Sequence, residues 1–193
     1  MSLNLEKQLT FYGAYHHDPV NVGIHVTCVP AILLSALLLA SNSPNLPLPS
    51  YLSIPNLPVN IGTVAAFGYS TLYILMEPVA GSLLFPLLMG STAYSNHLIQ
   101  TYGSTANKWA GAVHIFAWIA QFIGHGAFEG RAPALLDNLV QALFLAPFFV
   151  WMEILFFLGY RPELKSRVDK AIQAEIEKFK KSKADKKVDG KLS

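Results

Sequence analysis

The chain alternates between long apolar stretches and short polar connections. The apolar stretches cover residues 24–41, 60–76, 79–95, 109–124 and 134–159. Most of them approach the roughly 20 residues that an α-helix needs to cross a bilayer. An unpartnered strand would leave its backbone polar groups unpaired in lipid, so we interpret all of these stretches as helices. The pattern predicts an all-α, polytopic membrane protein with about four to five apolar helices.

Capping residues and prolines indicate where the predicted helices begin, end or are interrupted. Asp18 is a good N-cap, and Pro19 suits the first position of the helix that follows. The proline-rich, uncharged stretch 41–60 is typical of a non-helical connector near the membrane interface. Glu77-Pro78 predicts a tight hairpin between two helices. Ala146-Pro147 interrupts the last apolar stretch, which is therefore expected to kink or turn back.

The charges divide the chain into two regions. Hydrophobic residues make up 52% of the sequence and charged residues 13%, against about 25% charged in an ordinary soluble domain. Residues 1–159 carry only Lys7, Lys108 and Arg131 as basic side chains, and they are predicted to form a membrane-embedded helical domain. Residues 160–193 are rich in lysine and glutamate and predict a basic amphipathic helix with a disordered end, on the cytoplasmic side.

The net charge, the cysteine content and the N-terminal residues each limit the class of protein that this chain can be. The net charge of +2 is an average over two different regions and gives no argument for nucleic-acid binding. Cys28 is the single cysteine, so an internal disulfide and a cysteine-based metal site are both excluded. The N-terminal residues lack the apolar core of a cleavable signal peptide, so we expect insertion to depend on the internal apolar segments.

Several polar side chains nevertheless lie within or beside the apolar segments. The stretch HHDPVNVGIH places His16, His17 and His25 at the start of the first apolar helix. In the fourth segment a helical period aligns four polar side chains on one stripe, with Glu129 four residues beyond the last of them; they are His114, Trp118, Gln121 and His125. Ionisable groups at membrane depth are costly and usually pair or bind a ligand.

Imidazoles without thiolates suit zinc, iron, copper or nickel. Two histidines with a carboxylate would suit non-haem Fe(II), which needs open positions for dioxygen and substrate. The motif His16-x-Asp18 has the spacing of the histidine and carboxylate ligands in such iron oxygenases, but Asp18 is better explained as a helix cap. The HExxH motif and the histidine boxes of membrane desaturases and hydroxylases are missing.

Two blocks resemble a known family. FYGAYHHDPVNVGIHVTCVP and AWIAQFIGHGAFEGRAPALLDNLVQALFLAP are similar to the small membrane proteins that include the fungal 2-hydroxy fatty acid dioxygenase. The resemblance covers residues 9–162. The positions that match the family pattern are Tyr12, His16, Asn21, His25, Gln121 to His125, Glu129 and Pro133 to Leu135. His97 matches a further histidine in a region of weaker resemblance, His17 has a counterpart in the fungal enzyme, and His114 does not match.

The resemblance implies an Fe(II)-dependent dioxygenase of the endoplasmic reticulum membrane that acts in phytosphingosine degradation. Dioxygen and a 2-hydroxy long-chain fatty acid would give the fatty acid one carbon shorter, with the acyl chain in an apolar channel between helices. The implied iron ligands are His16, His25, His97 and His125. Asn21, Gln121 and Glu129 are the implied catalytic residues that orient these ligands. Arg131 would meet the substrate carboxylate, although it equally suits an interfacial anchor.

Two other classes of function stay open from the residues alone. The histidines could hold a metal ion, haem or a lipid head group without turnover, which a haem absorption band or a lack of dioxygen consumption would reveal. A membrane protein that only shapes helices and recruits partners through its tail would bind no stoichiometric metal.

Overall fold

A computed structural model describes residues 4–130, 132 and 139–189. Within these residues the chain forms seven α-helices, one 3₁₀ turn and one π-helical segment, and it contains no strand beyond an isolated bridge. The helices are α1 Leu5–Gly13, α2 Pro19–Ala40, α3 Ile61–Met76, α4 Pro78–Tyr102, α5 Ser104–Ile123, α6 Leu139–Phe157 and α7 Pro162–Asp189. The 3₁₀ turn is Ser50–Leu52 and the π-helical segment is Gly124–Glu129. The all-α prediction is confirmed.

Helix α2 begins where the sequence predicts. The Asp18 side chain accepts hydrogen bonds from the Val20 and Asn21 backbone N–H groups, and Pro19 occupies the first turn. These bonds satisfy N–H groups that lack a partner within the helix. The cap therefore fixes the start of the helix that carries His25.

Successive helices from α2 to α5 run antiparallel to one another. At the end of α2, the Asn60 side-chain amide donates to the Ser41 carbonyl at 3.1 Å and to Asn96 Oδ1 on α4 at 2.9 Å. Asn60 is also the N-cap of α3, so the connector returns the chain to the same end of the bundle. Helix α5 then packs along α2 in the opposite direction.

Glu77 forms the predicted hairpin between α3 and α4. It ends α3 and caps α4, where its carboxylate accepts from the Ala80 N–H. A Cβ atom on Gly81 would lie 2.4 Å from the Ile74 nitrogen, so glycine allows the two helices to approach closely. Arg161 donates to Glu77 Oε1 at 3.3 Å and ties this hairpin to the start of α7.

Helix α6 lies in the core and runs without a break through Pro147, so the chain does not turn back at this proline, whereas a kink there stays a prediction. Proline removes the N–H that would bond to the Leu143 carbonyl. The Tyr69 hydroxyl donates to that carbonyl at 3.2 Å and takes the place of the missing bond. Phe148 and Met152 on α6 are completely buried, which holds the helix in place.

The amphipathic helix predicted for the C-terminal region is present as α7, and its apolar face covers α1. Leu164, Val168 and Ile176 are buried. A Cβ atom on Gly13 would lie 2.1 Å from Ile172 Cδ1, so α7 packs closely on α1 at that glycine. Helix α7 therefore supports the short helix that leads into His16.

One described helix, α2, is long and apolar enough to cross a membrane. Ala142–Phe157 and Pro162–Lys181 would form a second span only as a pair, which is bent by 120°. Helices with the composition of α2 also occur in the cores of soluble proteins. The four to five membrane spans expected from the sequence stay a prediction.

Candidate metal centre

Three histidines from separate parts of the chain converge at one end of the bundle. His16 follows α1, His25 lies in the second turn of α2 and His125 lies in the π-helical segment. Their ring centroids are 4.3 Å apart for His16 and His25, and each is 4.8 Å from the centroid of His125. One ring nitrogen from each residue lies within 4.8 Å of the other two. The group is therefore close enough to hold one metal ion.

The tautomers of two of these rings are set by the backbone. His16 Nδ1 lies 2.8 Å from the Tyr12 carbonyl, and His25 Nδ1 lies 2.9 Å from the Asn21 carbonyl. A carbonyl only accepts hydrogen bonds, so each Nδ1 carries a proton and Nε2 is the ring nitrogen that can act as a metal ligand. Histidine ligands of metals are commonly oriented in this way.

His125 differs from the other two. It is 4% exposed, and its Nδ1 has no hydrogen-bond partner among the described residues. Burial and, to a smaller extent, the nearby His25 lower the pKa of the His125 imidazole to about 4. The ring therefore stays neutral at physiological pH, which is the form that binds a metal.

Glu129 joins the π-helical segment to the start of α2. Its side chain is completely buried and contacts the His17 ring. It also accepts from the backbone N–H groups of His17 and Asp18, each at 3.1 Å, and from Asn21 Nδ2 at 2.9 Å. A carboxylate at this place is favoured by the dipole of α2. Glu129 therefore positions two of the three elements that carry the histidines.

Asn21 links this carboxylate to His25, because its side chain bonds to Glu129 while its carbonyl accepts from the His25 ring. Asn21 is completely buried, and its Oδ1 has no partner among the described residues. A Cβ atom on Gly124 would lie 2.5 Å from this oxygen. Glycine at position 124 is thus required for the π-helical segment to pack against α2.

Tyr12 contacts the centre although sequence reasoning gave it no role. Its ring stacks on His16 with centroids 4.0 Å apart, and it also contacts the Phe149 ring at 4.9 Å. Burial raises the pKa of the Tyr12 hydroxyl. The spacing of four residues between Tyr12 and His16 was the available signal, since it places both side chains on one helical face.

The structure does not bring His97 to the three histidines. Its neighbour Asn96 is bonded to Asn60 at the far end of α2, and residues 25 and 41 lie about 24 Å apart along that helix. His97 is exposed on α4 beside Tyr94. The shared ligation by four histidines that was expected from the resemblance is not present in this arrangement.

The remaining predicted residues divide into three cases. Gln121 lies one turn before His125, and its buried Nε2 has no partner among the described residues. His114 is paired at both ring nitrogens, with Ser35 Oγ at 2.9 Å and with the Trp118 indole N–H at 3.0 Å, so it belongs to the packing of α2 and α5. Arg131 and the matched residues 133–135 lie outside the described residues.

Three imidazoles with no thiolate, held at one end of a helical bundle, place this protein among those with a nitrogen-donor site suited to a first-row transition metal. The chain belongs to the family described as 2-hydroxy-palmitic acid dioxygenase Mpo1-like, which matches residues 2–158. The 2-hydroxy-palmitic acid dioxygenase MPO1 of Saccharomyces cerevisiae is 39% identical over 167 residues, which are 86% of this chain and 88% of the yeast protein. No solved structure matches. The family resemblance expected from the sequence is confirmed.

Proposed function

We propose that this protein is an Fe(II)-dependent dioxygenase that converts 2-hydroxy long-chain fatty acids to the fatty acid one carbon shorter. The observation that carries the proposal is the convergence of His16, His25 and His125 in a chain that is 39% identical to the yeast 2-hydroxy-palmitic acid dioxygenase. The histidines lie in both sequence blocks that carry the resemblance. A metal-dependent oxygenase needs such a site, whereas a protein that only shapes helices does not.

The donor set fits Fe(II). His16 and His25 would bind through Nε2, and the His125 ring, whose Nδ1 has no partner among the described residues, would complete a set of three imidazole donors. Three protein ligands leave positions open for substrate and dioxygen, as non-haem iron oxygenases require. When bound, iron would supply the activation of dioxygen. The roles of the protein are to hold the donors in place and to orient the substrate.

The reaction balances without a reductant. One 2-hydroxypalmitic acid and one dioxygen give pentadecanoic acid, carbon dioxide and water. The bond between C1 and C2 breaks, C2 is oxidised from an alcohol to a carboxyl carbon, and C1 leaves as carbon dioxide. Dioxygen takes all the electrons released. The proposed enzyme therefore requires no electron-transfer partner.

The residues around the centre have positioning roles in this proposal. Glu129 and Asn21 hold α2 against the π-helical segment through the bond between Asn21 Nδ2 and the Glu129 carboxylate. Gln121 has a free donor one turn from His125 and would bond to the polar end of the substrate. Arg131 is proposed to pair with the substrate carboxylate. His97 is not proposed as a ligand.

A membrane location supports access to such a substrate. Large apolar side chains are exposed along α3, α4 and α5, among them Phe67, Leu83 and Phe116. Exposed apolar surface of this extent is typical of contact with lipid. We propose residence in the endoplasmic reticulum membrane with the basic α7 on the cytoplasmic side, and a role in the degradation of phytosphingosine. Retention in the membrane pellet after an alkaline carbonate wash would test the insertion.

The direct test is turnover by the purified protein. Detergent-purified protein loaded with Fe(II) is incubated with 2-hydroxypalmitic acid in air, and the products are identified by mass spectrometry. We expect pentadecanoic acid, its loss in His25→Ala and His125→Ala, and its retention in the control His97→Ala. Iron binding without any pentadecanoic acid would favour a metal-binding protein without turnover. Product formation that survives His125→Ala would remove the three histidines from the reaction.

A further inference from the structure

Two cavities flank the contact between α2 and α5. The first, called the proximal cleft, has a volume of about 240 Å³ and is lined by residues of α2, α5 and α6 with Tyr69 of α3. The second, called the distal cavity, has a volume of about 630 Å³ and is lined by residues of α2, α4 and α5. Both are lined mainly by apolar side chains, so apolar character alone does not decide between them as a site for an acyl chain.

Distance from the histidines separates the two cavities. The proximal cleft begins at Val29 and Gln121, each one helical turn, or about 6 Å, from His25 and His125 respectively. The distal cavity reaches α2 at Ala31, about 9 Å along that helix from His25, but its α5 residue closest in sequence to His125 is Val113, about 18 Å away. A chain attached to a head group at the three histidines therefore enters the proximal cleft first.

The boundary between the cleft and the metal centre carries an unsatisfied donor. Gln121 lines the cleft, and its Nε2 is buried without a partner among the described residues. A buried amide without a partner costs about 1–3 kcal/mol. A carboxylate or hydroxyl oxygen between the cleft and the histidines would satisfy it.

The histidine in the wall of the proximal cleft has no ring nitrogen left to bind a ligand. His114 lines the cleft, but both its ring nitrogens are occupied, one by Ser35 and the other by Trp118. On α2 the wall is formed by Val29, Leu33 and Ala36, which follow one face of the helix. The cleft is partly open, so it can accept a chain longer than its own volume would enclose.

We infer that the proximal cleft binds the acyl chain of the 2-hydroxy acid. Gln121 donates a hydrogen bond to the head group, and Ala36 lines the part of the cleft that receives the chain beyond its first carbons. This inference rests on the proposed function, and it assigns the substrate chain to one of the two cavities. From residue 25 to residue 36 the groove follows α2 for about 16 Å.

A matched pair of alanines on α2 tests this assignment. Ala36 lines the proximal cleft and Ala31 lines the distal cavity, and both are partly buried. The melting temperature of the iron-loaded wild type, Ala36→Phe and Ala31→Phe is measured without oxygen, with and without 2-hydroxypalmitic or 2-hydroxyoctanoic acid. Retention of iron shows that a variant has folded. If Ala36→Phe loses iron, the smaller Ala36→Leu takes its place.

We expect Ala36→Phe to lose most of the stabilisation by 2-hydroxypalmitic acid while it keeps that by 2-hydroxyoctanoic acid. Ala31→Phe should behave as the wild type. The opposite pattern would assign the chain to the distal cavity, and two variants that both bind as the wild type would place it outside both cavities. Because binding is measured without turnover, wild-type protein that binds the acid but forms no pentadecanoic acid in air would contradict the proposed function alone.

Discussion

Asn21 Nδ2 donates to the Glu129 carboxylate at 2.9 Å, and this bond joins residues that are 108 positions apart in the chain. Since the Asn21 carbonyl also accepts from the His25 ring, Glu129 acts on His25 through Asn21. We therefore propose that the carboxylate orients the His25 ring through Asn21 and is not itself a metal ligand.

Glu129→Gln should weaken iron binding by roughly 10-fold to 100-fold, the usual effect of losing a residue that orients metal ligands. Backbone N–H groups donate to both oxygens of this carboxylate, and Asn21 Nδ2 donates to one of them, so the amide nitrogen of glutamine would meet a donor in either orientation, and the charge near the dipole of α2 would be lost. Competition with a calibrated chelator measures the affinity. Glu177→Gln, at an exposed position of α7, is the control. Equal affinities for both variants and the wild type would contradict the positioning role.

Two glycines that flank His125 provide a second test. A Cβ atom on Gly124 would lie 2.5 Å from Asn21 Oδ1, whereas a Cβ atom on Gly126 would meet nothing within 4 Å. Gly124→Ala should therefore displace Asn21, lower the melting temperature and reduce the iron content. Gly126→Ala should leave both unchanged, or raise the stability slightly because alanine favours a helix. Similar behaviour of the two variants would show that the contact with Asn21 does not matter.

The apolar segments and the cap at Asp18 were predictable because each depends on neighbours in sequence. The continuity of α6 was not predictable, since the partner that satisfies the Leu143 carbonyl comes from Tyr69 on α3. The position of His97 depends in the same way on how four helices alternate in direction. Local pattern also placed His114 and His125 on one stripe, and only the packing shows that His114 is paired with Ser35 and Trp118.

His114 and His125 should differ in what their removal changes. His114→Ala should keep one iron per chain but lower the stability by about 1–3 kcal/mol, because Ser35 and Trp118 lose a buried partner. His125→Ala should lose the iron. Elemental analysis and thermal unfolding of both proteins separate the two roles. Loss of iron in His114→Ala at a wild-type melting temperature would assign that residue to the centre after all.

The metal-free protein should become less stable on acidification. The pKa of the His125 imidazole is about 4 in the folded state, mainly because of burial, against about 6.5 in the unfolded chain. Folding therefore favours the neutral ring. Its contribution to stability is complete above pH 6.5 and is lost as the pH falls from there towards 4. Melting temperatures of metal-free wild type and His125→Gln over this range provide the check, and the variant should show the smaller decrease. Parallel curves would exclude His125 as the cause.

Tyr69 and Pro147 should show an energetic coupling in a double-mutant cycle. Pro147 has no N–H for the Leu143 carbonyl, and the Tyr69 hydroxyl donates to that carbonyl at 3.2 Å. Tyr69→Phe should cost about 0.5–1.5 kcal/mol, the usual net value of one hydrogen bond. In the background of Pro147→Ala the backbone N–H returns and can bond to Leu143 itself, so the same change should cost less. Thermal or denaturant unfolding of the wild type, both single variants and the double variant gives the coupling energy. An equal cost of Tyr69→Phe in both backgrounds would mean that α6 continues through Pro147 by packing alone, without help from the tyrosine.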